Sequence, residues 1–120
     1  MKNKREIGNK YEDGAVKLLL SSGYEILERN YRVRAGEIDI IAQKDNTIIF
    51  IEVKYRSSIK FGYGIEAIDY RKMRRIYNAA KIYLLTNRKL RYKIRFDSIC
   101  FLGEEVSWIK NLTWGDEIGF

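Results

Sequence analysis

Residues 36 to 56 read GEIDIIAQKDNTIIFIEVKYR, two runs of β-branched and apolar residues, Ile38 to Ala42 and Thr47 to Val53, parted by Lys44-Asp45-Asn46. β-Branched side chains favour strands, and Asp and Asn favour tight turns, so the pattern predicts an antiparallel hairpin. A short loop centred between Asp45 and Asn46 sets Asp39 opposite Glu52 and Glu37 opposite Lys54. Because side chains alternate across a strand, Glu37, Asp39, Glu52 and Lys54 are expected on one face with Ile48 and Phe50. Ile38, Ile40, Ile51 and Val53 then share the other.

Upstream, Tyr11, Ala15, Leu18 and Leu19 recur at helical spacing in a helix predicted from about Arg5 to Ser22, with Gly23 placed to end it in a left-handed cap. Glu12 lies roughly 60° from the centre of that apolar stripe and so borders the buried side. Tyr24 to Val33 reads as a first strand, turning at Ala35-Gly36 into the hairpin. Downstream, Ser57 to Gly64, SSIKFGYG, reads as a loop leaving the Glu52 to Lys54 strand, where it would touch a substrate. Asp69 is placed to cap a second helix, Tyr70 to about Leu85, with Met73, Ile76, Tyr77, Ala80 and Leu84 on its buried side. Tyr70, Tyr77 and Tyr83 are expected in or beside the core. Leu90, Tyr92, Ile94 and Phe96 alternate with Arg91, Lys93, Arg95 and Asp97, predicting a half-buried strand with a basic outer face. Val106 to Leu112 adds a last strand, and WGDEIGF at the end suggests no element. The expected architecture is an α/β domain, a mixed central sheet of about five strands flanked by helices. One domain is expected over 1–120, its core at about 5–112 and a tail at 113–120.

Composition narrows the chemistry. At 120 residues and 46% hydrophobic the chain suits a single core. No apolar run approaches the roughly 20 residues of a membrane span, and MKNKREIGNK lacks the apolar stretch of a signal peptide, so a cytoplasmic protein without a membrane partner is expected. Cys100 is the only cysteine and there is no histidine. That removes an internal disulfide, an ordinary zinc site and any Ser-His or Cys-His pair. Carboxylates, lysine, hydroxyls or a hard metal remain.

Charge supplies the candidates. Opposed strand residues have Cβ atoms roughly 5 Å apart, where two like charges repel by about 3 kcal/mol at an effective dielectric of 20. A cation between Asp39 and Glu52 would relieve this, and hard divalent ions prefer such oxygen ligands. The plainer alternative is a salt-bridged strand face in solvent. The net charge of +7 is also uneven: Arg71 to Arg95 carries ten basic residues and no acid, whereas Phe96 to Phe120 has five acids against Lys110. A concentrated basic patch suits a polyanion, since phosphate contacts release counterions. A solvated helix face beside a charged edge strand is the bland reading of the same residues.

Helical Glu12, GEID at Gly36 to Asp39, and FIEVKYR with Glu52 and Lys54 together resemble the PD-(D/E)XK, or restriction-endonuclease-like, nuclease core. The whole chain is closest in pattern to the YraN-like family of bacterial proteins, related to archaeal Holliday junction resolvases. The matching stretches, over about residues 8 to 101, are Gly8 with Tyr11-Glu12, Gly23-Tyr24 with Ile26-Leu27, Arg29-Asn30 with Arg32, GEIDIIA, FIEVKYR, Phe61-Gly62, Lys72 with Ala80, and Arg95-Phe96-Asp97. The resemblance implies a restriction-endonuclease-like core in which Asp39 and Glu52, with the Val53 carbonyl, hold Mg²⁺ or Mn²⁺. Lys54 matches the catalytic lysine and Glu12 the helical acid; Glu37 belongs to the YraN-like motif and takes a supporting role. Ile38 stands where the broader pattern often has proline. The implied function is metal-dependent endonuclease cleavage of phosphodiester bonds, with branched or structured DNA as a substrate class. Arg71, Lys72, Arg74, Arg75, Arg91, Lys93 and Arg95 are the expected nucleic-acid contacts, with DNA preferred to RNA and a homodimer left open. The alternative is a nucleic-acid-binding module of the same fold that does not cut. A glycosidase using Asp39 and Glu52 fits formally but leaves the basic patch without a purpose.

Overall fold

The computed structural model describes residues 4–56 and 70–111. Through these the chain forms helix α1 (Lys4–Ser21), strands β1 (Glu25–Val33), β2 (Gly36–Lys44) and β3 (Thr47–Arg56), helix α2 (Tyr70–Thr86), and strands β4 (Lys93–Leu102) and β5 (Glu105–Ile109). The strands make one five-stranded mixed sheet in the order β1-β2-β3-β4-β5, with β3 and β4 parallel and every other neighbouring pair antiparallel. The expected loop at Ser57 to Gly64, the Asp69 cap and the tail lie outside the described residues.

Two apolar clusters hold the layers together. Ile41, Ile48 and Phe50 on one sheet face pack with Met73, Ile76, Tyr77, Ala80, Tyr83 and Leu84 of α2. Ile40, Ala42, Ile49 and Ile51 on the other face pack with Ala15 and Leu19 of α1. The apolar run Ile48 to Ile51 follows from this, because a strand covered on both faces has no solvent side to keep polar.

Helix ends show how closely the local chemistry is followed. Gly23 has φ 90°, and the amides of Gly23 and Tyr24 donate to the carbonyls of Leu20 and Leu19 at 3.1 and 3.0 Å, the Schellman pattern. α2 ends the same way around Arg88, with Lys89 N–H donating to the Leu84 carbonyl at 2.8 Å. Arg88 has φ 55°, where a Cβ costs about 1 kcal/mol. Arg88→Gly is therefore expected to stabilise the fold by up to about 1 kcal/mol, after its own chain-entropy cost. Equilibrium urea denaturation checks it, and an unchanged or lower midpoint would contradict it.

β4 departs from expectation. It is an interior strand, so Phe96 to Cys100 are all buried and it extends five residues past Asp97, to Leu102. Asp97 is 1% exposed. Its Oδ1 and Oδ2 accept 2.9 Å hydrogen bonds from the Arg95 guanidinium, Oδ2 another from Trp108 Nε1 and Oδ1 another from the Asn111 amide. Arg95 also donates to the Tyr24 hydroxyl at 2.9 Å. The basic outer face expected at Arg95 is thus an internal ion pair, because Tyr24, Trp108 and the Asn111 amide close around it.

Candidate active site

The β2–β3 hairpin turns at Asp45-Asn46 between the pair Lys44↔Thr47, and its register runs to Ile40↔Ile51, as the turn chemistry predicts. Beyond that pair the ladder changes character: Val53 N–H donates to Asp39 Oδ2 at 2.8 Å, a carboxylate accepting where a backbone carbonyl would continue the sheet. A strand residue's N–H and C=O leave on the same side, so the Val53 carbonyl also points toward Asp39.

Strict alternation fails here. Ile38 packs in the α2 cluster with Ile41, whereas Ile40 belongs to the α1 cluster with Ile51 and Val53. Asn30 of β1, between the pairs Arg29↔Ile40 and Tyr31↔Ile38, has φ 53°. That left-handed residue turns β1 over, and β2 turns with it at Asp39. Sequence periodicity alone carries no sign of the break except that Asn tolerates the conformation.

Glu52 and Lys54 are 6% and 7% exposed. Both lie on the α2 face of β3, opposite Ser98 and Cys100 of β4. Both carboxylate oxygens of Glu52 are buried without a directed hydrogen bond. The compensating charge is the Lys72 ammonium from the first turn of α2, in ion contact with Oε1. Burial holds the Lys54 ammonium below the ordinary lysine pKa, with Glu52 opposing the shift. Burial likewise pushes the Asp39 carboxyl up to about 6, against the Val53 hydrogen bond and with the help of Glu52 and Glu12.

Glu12, 7% exposed, reaches this region from the opposite layer. Tyr11 stacks on Tyr55 with centroids 4.2 Å apart and also meets Phe101, which ties this part of α1 to the end of β3. Arg29 Nε and Asn30 Nδ2 each donate to Glu12 Oε1 at 3.0 Å. Arg29 and Asn30 are site residues that spacing did not reveal, since their role depends on the left-handed turn at Asn30.

Three other expected members lie elsewhere. Glu37 is exposed and paired with Arg32 at 3.1 Å, so it stands outside the site, and the expected crowding of Glu37, Asp39 and Glu52 on one strand face is corrected. Lys93 pairs with Thr47, five residues from Glu52 along β3 and so roughly 16 Å away; Arg91 precedes it at that far end of the sheet. Arg71, Lys72, Arg74 and Arg75 instead lie in the first turns of α2, on the Glu52 side. Gly36 permits that placement: a Cβ there would sit 2.5 Å from the Arg75 carbonyl oxygen.

Among the described residues no three His, Cys, Asp or Glu side chains converge to hold a metal ion. The two-carboxylate set nevertheless fits a hard cation. Mg²⁺ needs only one or two carboxylates and keeps its waters, Glu52 presents two buried oxygens without hydrogen bonds, and burial makes the ionised Asp39 carboxylate costly until positive charge arrives.

A pH dependence follows for the metal-free protein. The folded chain holds the Asp39 proton more tightly than the unfolded chain, so stability falls as pH rises from about 4 to 6. By pH 7 ionised Asp39 costs roughly 3 kcal/mol. In chelator, Asp39→Asn is expected to melt above wild type at pH 7 and near it at pH 4. A gap that does not widen with pH would refute this.

A model of the family described as "Uncharacterised protein family UPF0102" matches residues 11–101. The UPF0102 protein FN1370 of Fusobacterium nucleatum subsp. nucleatum is 57% identical over 118 residues, covering 98% of this chain and 99% of that protein. UPF0102 proteins of Lachnoclostridium phytofermentans and Persephonella marina are 47% and 45% identical, covering 91% and 87% of this chain and 93% and 90% of their own lengths. No helix among the described residues is long and apolar enough to cross a membrane.

Proposed function

We propose that this chain, which belongs to the UPF0102 family, the YraN-like proteins, is a cytoplasmic divalent-metal-dependent endonuclease acting on DNA, with a PD-(D/E)XK-type site. The observation that carries the reading is Glu52, a carboxylate buried without hydrogen bonds beside a second, raised carboxyl and a buried lysine. Such a group is costly without a cation, and the one in contact with it is the exposed, displaceable Lys72 ammonium on Oε1.

Asp39, Glu52 and the Val53 carbonyl would hold Mg²⁺ or Mn²⁺. When bound, the ion polarises a phosphoryl oxygen and acidifies water at the site. Lys54, fixed by burial, supplies positive charge where negative charge builds on phosphorus. Glu12, clamped through Oε1 by Arg29 and Asn30, would hold the metal's outer waters or a second ion. Arg71, Arg74 and Arg75 grip the phosphate backbone beside the site. Replacing all three with Ala is expected to weaken binding to every sequence and to lower the salt slope by up to roughly 3, about 0.9 for each phosphate no longer neutralised. Unchanged affinity at low salt would make them a solvated face.

Cleavage tests the reading. Linear, flapped and four-way-junction DNA and matching RNA, each with Mg²⁺, Mn²⁺ or chelator, should show metal-dependent cutting of at least one DNA substrate. Binding without cutting of any substrate would decide for the non-cutting module.

A further inference from the structure

Lys72 belongs to the basic stretch by sequence, yet the fold gives it a different position from its neighbours. Its ammonium touches Glu52 Oε1 directly. The Glu52 side chain is 6% exposed, whereas that of Lys72 is 57% exposed. The anion is therefore fixed inside the protein while the cation is held from outside by a long flexible stem. Lys72 also acts electrostatically on Asp39 and on Lys54, so its charge is shared by the whole site.

We infer that Lys72 is a placeholder for the metal: its ammonium occupies the cation position at Glu52 until a divalent ion displaces it, and the freed ammonium then meets a substrate phosphate. This rests on the metal site proposed above. A buried carboxylate without hydrogen bonds needs a positive charge in either state. Two cations cannot share one carboxylate oxygen at contact, so metal and Lys72 compete there. Because coupling is reciprocal, a polyanion that draws Lys72 away also raises metal affinity. Glu52 thereby keeps a counter-charge while the metal site is empty and gives it up when nucleic acid arrives.

Mn²⁺ binding to the full chain, measured by calorimetry without nucleic acid, tests this apart from any activity. Lys72→Met keeps the stem and removes the charge, and is expected to bind Mn²⁺ at least roughly fivefold more tightly than wild type. Lys72→Arg should stay near wild type. Arg74→Met, which loses a charge two residues away, should change affinity less than twofold. Adding a DNA duplex should tighten Mn²⁺ binding in wild type and do so much less in Lys72→Met. Wild-type binding with Lys72→Met equal or weaker overturns the placeholder and leaves the nuclease reading standing. Absence of Mn²⁺ binding in both proteins overturns both. Matching circular dichroism confirms that the exposed substitution leaves the fold intact, while Lys72→Met should melt below wild type in chelator because Glu52 has lost its counter-charge.

Discussion

Glu52→Gln is expected to abolish metal-dependent cleavage while leaving DNA binding intact or slightly tighter. The substitution keeps size and shape at a 6% exposed position and removes the charge on which the cation site depends. Less negative charge near the substrate's phosphates means less repulsion, which gives binding and cutting opposite signs. Lys54→Ala should behave differently. It leaves both carboxylates, so metal affinity persists, while cleavage falls by about 10² to 10³, the usual loss for one preorganised electrostatic contact. Single-turnover cleavage with filter binding on the same preparations separates the two. Glu52→Gln cutting within tenfold of wild type would remove Glu52 from the chemistry.

Asp97→Ala should have the largest effect on folding of any single substitution considered. One carboxylate accepts from Arg95, Trp108 Nε1 and the Asn111 amide inside the sheet. Removing it leaves a half-buried guanidinium and two N–H donors without their acceptor. Breaking such a buried pair from one side costs about 3–5 kcal/mol, a large part of the roughly 5–15 kcal/mol that holds a domain together. The melting temperature should drop by roughly 10 °C or more. Glu37→Ala, which breaks only the exposed Arg32 pair, should move stability by no more than about 0.5 kcal/mol. Comparable losses in the two variants would show that Asp97 is not the internal anchor described.

These contrasts mark what a linear pattern can carry. The hairpin register was legible as far as Ile40↔Ile51 because Asp45-Asn46 forces a tight turn and the flanking β-branched runs leave few alternatives, but the expected pairs Asp39–Glu52 and Glu37–Lys54 lie beyond the end of the ladder. Both helices were legible from apolar spacing, and Gly23 from its place after the last apolar turn. Asp97 was not, because its partners come from β4, β5 and the residue after β5, so that local alternation made it look solvent-facing. The position of Ile38 relative to Ile40 was hidden because one left-handed residue, Asn30 in the neighbouring strand, reverses the faces. Lys72 read as one of several equivalent bases. What sets it apart is the seating of α2 over Gly36, a contact between residues far apart in the chain.

The metal site at Asp39 and Glu52 is tested most directly by the melting temperature of wild type and Asp39→Asn titrated with Mg²⁺ at pH 7.5. In chelator wild type should melt below Asp39→Asn, because it carries the uncompensated carboxylate. Mg²⁺ should then stabilise wild type with the logarithm of its concentration above the dissociation constant, by about 2.7 kcal/mol at a hundred times that constant, while Asp39→Asn stays flat. Parallel curves for the two proteins, or a wild type indifferent to Mg²⁺ and Mn²⁺, would contradict a metal site built on Asp39 and Glu52.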